Sequence, residues 1–125
     1  MWHGHNPGPR GVVGYAAGAA GAPGDLTMNY YLYKLVVPRP TFRTDMTEAE
    51  STIMRDHIGY WTGLADDGTA VVFGPVADPA GSWGLAVVEA DTEHAVRALA
   101  AADPAIASEL ATFEIYPMPG TITRP

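Results

Sequence analysis

Residues 46–64, MTEAESTIMRDHIGYWTGL, carry the pattern that most narrows how this chain can fold. At about 100° per residue, Met46, Ala49, Ile53, Tyr60, Trp61 and Leu64 gather on one side of a helix, with His57 among them. Asp45, Glu48, Ser51, Arg55 and Asp56 fall mostly on the other side. An imidazole on a core-facing stripe costs folding free energy unless it is hydrogen-bonded. The pattern therefore predicts a helix and also a partner for its histidine.

Length and charge limit what that partner can belong to. A chain of 125 residues fits one domain with a real core, and 47% hydrophobic residues fit a soluble globular protein. No apolar run approaches the roughly 20 residues a membrane span needs. A net charge of -7 argues against nucleic acid or an anionic membrane as the main partner. With no cysteine, disulfides, thiolate catalysis and cysteine-based zinc sites are excluded, and a cytoplasmic location is expected. Residues 1–27 hold seven of the 14 glycines and little to bury, so they read as a disordered tail preceding a domain over residues 28–125. His3 and His5 in that tail read as incidental rather than as metal ligands. Met28 is expected to be the true translation start, with the tail an upstream-start artefact.

Within the domain, residues 30–37, 69–73, 82–90 and 111–117 read as strands. Residues 38–45 read as a loop, and the central helix opens either on a capping box at Thr47 and Glu50 or on Asp45. A second helix, EHAVRALAAA, follows Asp91-Thr92 and stops at Asp103-Pro104, with a short helical turn at about 105–109. The order β-α-β-β-α-β predicts an α+β, ferredoxin-like antiparallel sheet with both helices on one face. Apolar side chains on both faces of the first three strands, such as Val71-Val72, leave a second apolar surface, and a homodimer is the economical way to cover it.

Asp103 is the second candidate. Asp-Pro is an ordinary helix stop whose carboxylate can bond local backbone. A carboxylate at a helix C-terminus faces the unfavourable end of the macrodipole, however, and calls for a donor or cation. With both helices on one sheet face, His57 and Asp103 can meet, and the carboxylate would fix the tautomer and raise the basicity of the ring. The plain alternative is that each is a satisfied core residue. Lys34, Arg39, Arg43 and Arg55 are four of seven basic residues and can gather an anionic substrate, or can be solvated surface charges. Trp61 and Trp83 can wall an aromatic pocket or fill the core. His57 and Asp103 lack a third ligand for a metal, and no phosphate-binding glycine loop follows a strand.

The succession of His57 with Tyr60 and Leu64, Gly68, Gly74-Pro75, Gly84, Glu89, Ala95, Asp103-Pro104, Ile115 and Pro117 resembles the YCII-related (YciI-like) family. The resemblance covers roughly residues 30–118 and implies a dimeric α+β barrel with His57 and Asp103 as an active-site dyad. It does not carry over a substrate: most members have no assigned reaction, and one branch eliminates chloride from a chlorinated hydroxyhydroquinone. The expected function is cofactor-independent proton transfer of lyase or isomerase type on a small cyclic or carbonyl-bearing molecule, with Arg39, Arg43, Trp61, Gly74 and Pro75 as candidate substrate contacts. The alternative is a non-catalytic module that binds a small molecule for regulation.

Overall fold

Burial alternates strictly along the first strand, β1 (Asn29–Val36): Tyr31, Tyr33 and Leu35 are buried and their neighbours are not. That period of two gives the strand one core face and one outer face. The computed structural model describes residues 29–125; the glycine-rich tail, His3, His5 and Met28 lie outside the described residues. After β1 come α1 (Phe42–Asp45), α2 (Glu48–Asp66), β2 (Ala70–Val76), β3 (Trp83–Ala90), α3 (Glu93–Ala102), α4 (Pro104–Ala107) and β4 (Thr112–Pro117). The strands form one antiparallel sheet in the order β2-β3-β1-β4, as a ferredoxin-like fold requires.

Register explains how the core is assembled. Tyr33 lies opposite Ala86 on one side and Ile115 on the other, and Tyr31 lies opposite Val88, so the buried residues of three strands share one face. Trp61 of α2, Val96 and Ala100 of α3, and Ala105 of α4 pack onto that face in a single core. Tyr60 donates its hydroxyl to the Leu99 carbonyl at 2.7 Å and so ties α2 to α3. On the outer face, Val72, Val87, Leu32 and Tyr116 stand in register across all four strands, and Val72 and Tyr116 are about half exposed (50% and 48%).

Four details differ from the sequence reading. The helix begins at Glu48 rather than Met46; of the two caps the sequence offered, the Thr47 box is the one that forms, with the Glu50 amide donating to the Thr47 hydroxyl and the Thr47 amide donating to the Glu50 carboxylate. Ala49 consequently lies in the first turn and is exposed. The segment 38–45 is not all loop: Phe42, 2% exposed, anchors the short α1. Strand β2 runs on through Gly74-Pro75 to Val76, because it is an edge strand on which a proline need not donate to a neighbour.

The loops beside α1 lock together. Gly81 has φ +133°, and a Cβ there would lie 3.0 Å from Pro40, so only glycine lets the β2–β3 connection close against the segment leading into α1.

Candidate functional site

Asp103 is the one buried charged side chain among the described residues, and it is fully buried. Its placement follows from Pro104: the residue before a proline is held out of the helical region, and Asp103 takes φ −63°, ψ 126°, ending α3 and capping α4. Its Oδ1 accepts the Ala105 amide at 2.9 Å. The dipole objection raised by the sequence is thereby removed, since the carboxylate also sits at the start of the next helical turn.

Three side chains complete its shell. The Trp61 indole N–H donates to Oδ2 at 2.7 Å and the Tyr33 hydroxyl donates to the same oxygen at 2.9 Å. His57 Nδ1 lies 2.8 Å from Oδ1 and 3.0 Å from Oδ2. Burial raises the pKa of the Asp103 carboxyl, but hydrogen bonds from His57 and Trp61, the His57 charge and the Ala105 amide outweigh it, and the net shift is downward. Burial first, and the Asp103 charge second, push the Tyr33 hydroxyl up, so it stays a donor. An ionised carboxylate only accepts hydrogen bonds. The proton between the two groups therefore belongs to Nδ1, so that in the neutral form of the ring the lone pair lies on Nε2, which bonds no group among the described residues.

The His57 side chain is only 13% exposed, and what is exposed opens on a cleft of about 220 Å³ between α2 and the core face of the sheet. Tyr33, Met54, Trp61 and Phe73 make the cleft apolar, while α1 brings Arg43 to it. Of the candidate substrate contacts, Arg43, Trp61, Gly74 and Pro75 line the cleft. Arg39 does not: its guanidinium bonds Asp45 at 2.8 Å and Glu50 at 2.7 and 3.0 Å. These contacts, with the Thr47 amide, pull the Glu50 carboxyl down to about 2. The structure thus brings His57 and Asp103 into direct contact and spends Arg39 on fixing the segment that carries α1. Among the described residues, no group of three or more His, Cys, Asp or Glu side chains is placed to hold a metal ion, and no helix is long and apolar enough to cross a membrane.

Tyr33 was missing from the candidate residues. Its signal was available: a tyrosine on the buried parity of a strand needs a hydroxyl partner as surely as a buried histidine does. Tyr33→Phe removes one hydrogen bond to a charged acceptor and is expected to cost about 1.5–3 kcal/mol, measured by urea unfolding.

A comparison with family models matches the YCII-related domain to residues 28–119. The chain belongs to the YCII-related family. No curated protein and no solved structure matches it. The YCII-related match spans every strand and helix described above, including both members of the His57–Asp103 pair.

Proposed function

We propose that this YCII-related chain is a small enzyme in which His57, oriented by Asp103, moves a proton on a small cyclic or carbonyl-bearing substrate, in chemistry of lyase or isomerase type. The observation that carries the reading is a fully buried carboxylate bonded to His57 Nδ1 where the ring borders an apolar cleft. With Nδ1–H fixed toward Asp103, Nε2 is the basic atom left for an acidic C–H or O–H in the cleft. The imidazolium that forms is stabilised by the carboxylate behind it. The same Nε2–H then returns the proton, either to a neighbouring carbon in an isomerisation or to a departing group in an elimination. An apolar, partly closed cleft strengthens these charge interactions by limiting water.

The size of the cleft suits a single ring: a cavity of about 150 Å³ accepts benzene. The test is solvent deuterium exchange at acidic C–H positions of one-ring ketones and hydroxylated arenes, followed by NMR. His57-dependent exchange supports the reading, whereas binding without exchange for every compound would favour the regulatory module instead.

The apolar row Val72, Val87, Leu32 and Tyr116 supports a homodimer formed through the outer sheet face. Light scattering is expected to give twice the chain mass at micromolar concentration, and Val87→Glu is expected to give the monomer mass. A monomeric native chain contradicts this assembly.

A further inference from the structure

We infer that the cleft takes a flat, one-ring ligand carrying a carboxylate, held by Arg43 while the ring's reactive O–H or C–H meets His57. The inference rests on the proton-transfer reading of the same site and names its substrate class.

Four cations lie near the cleft in sequence, and three are spent elsewhere. Lys34 lies 4.9 Å over the Trp83 ring, and its charge adds to the Ala80 amide and the Trp83 indole N–H in lowering the Asp78 pKa. Arg39 is held by Asp45 and Glu50. Arg55 reaches the Thr52 hydroxyl at 3.4 Å and does not line the cleft. Arg43 alone of the four both lines the cleft and bonds no group among the described residues.

The other polar groups of the lining are mostly committed too. The Tyr33 hydroxyl and the Trp61 indole N–H serve Asp103, and the Trp83 indole N–H serves Asp78 at 3.1 Å. What remains for a ligand is a guanidinium, His57 Nε2 and the Ser82 hydroxyl. That donor set suits an apolar body with an anion at one point and a protic group at another. A neutral hydrocarbon would waste Arg43. A highly hydroxylated molecule such as a sugar would leave most of its hydroxyls facing Tyr33, Met54, Trp61 and Phe73 without partners. A guanidinium matches a carboxylate with two parallel hydrogen bonds, which fixes the ring's direction as well as its position. Burial of Phe42, and packing of Gly81 against Pro40, give α1 a fixed seat from which Arg43 extends.

The experiment compares 4-hydroxybenzoate with its neutral isostere 4-hydroxybenzamide by NMR titration, in the native chain and in Arg43→Gln and His57→Gln. Arg43 is exposed, so Arg43→Gln is expected to keep the native Tm. The benzoate is expected to bind about fivefold more tightly than the amide, a modest ratio because the guanidinium is solvated. The preference is expected to shrink at high salt, to vanish in Arg43→Gln and to persist in His57→Gln. Equal affinities in the native chain, a preference that survives Arg43→Gln, or no binding of either probe at millimolar concentration each overturns the inference. Carboxylate preference is read at Arg43 and proton transfer at His57. A missing preference with intact His57-dependent exchange rejects the ligand class alone; intact preference without exchange rejects the enzyme reading alone.

Discussion

Asp103→Ala is expected to lose roughly 3–5 kcal/mol of folding stability in urea, the usual cost of deleting one member of a buried charged cluster. The loss does not measure a net attraction between His57 and Asp103. It arises because the Trp61 indole N–H, the Tyr33 hydroxyl, the Ala105 amide and His57 Nδ1 all lose their acceptor, and the first two lie deep in the core. Asp103→Asn keeps the volume but turns an amide N–H₂ toward donors, so it too is expected to destabilise. The pair also predicts an acid response. The folded-state pKa of Asp103 lies below its ordinary value of 3.8, so its stabilising contribution is complete above that value and is lost as pH falls through the lower, folded one. Native stability should drop on acidification below about pH 4, and Asp103→Asn should lack that component. A stability difference between native and Asp103→Asn that stays constant from pH 6 to pH 2 contradicts this linkage.

His57→Gln is the second large effect, and it falls on rate rather than on stability. Loss of a positioned acid–base group costs about 10²–10⁴-fold, so deuterium exchange into a responsive substrate should fall by that factor. The Gln amide N–H₂ retains a donor for Asp103, and urea unfolding should therefore change far less than in Asp103→Ala. A loss of under tenfold would leave His57 as a buried structural partner of Asp103 and no more.

The contact between His57 and Asp103 was legible because both residues break a local rule. His57 is polar on an apolar stripe, and Asp103 stands where a helix end disfavours a carboxylate; the first anomaly resolves in the contact with Asp103, the second in the place of Asp103 at the start of α4. The β-α-β-β-α-β order was legible for a different reason, namely that the breaks at Asp66-Asp67-Gly68, Asp91-Thr92 and Asp103-Pro104 carry explicit turn and cap chemistry. What escaped depends on long-range contacts. Tyr33 meets Asp103 across 70 positions, which no local period records. α1 forms because Phe42 is buried beside the cleft and Arg39 bridges Asp45 to Glu50, contacts that four residues of sequence do not advertise. Separating Arg39 from Arg43 likewise required knowing which of them the acidic groups had already engaged. The continuation of β2 through Pro75 depended on strand order, because only an edge strand accepts it.

The central claim is that Asp103 holds the proton of neutral His57 on Nδ1 and leaves Nε2 as the working base. The direct test is the ¹⁵N spectrum of the His57 ring, recorded at a pH where the ring is neutral, in the native chain and in Asp103→Asn. The account predicts the Nδ1–H tautomer in the native chain, with Nε2 at the shift of an unprotonated nitrogen, and a changed tautomer balance once the carboxylate is gone. A native ring protonated on Nε2, or a spectrum indifferent to Asp103→Asn, contradicts it.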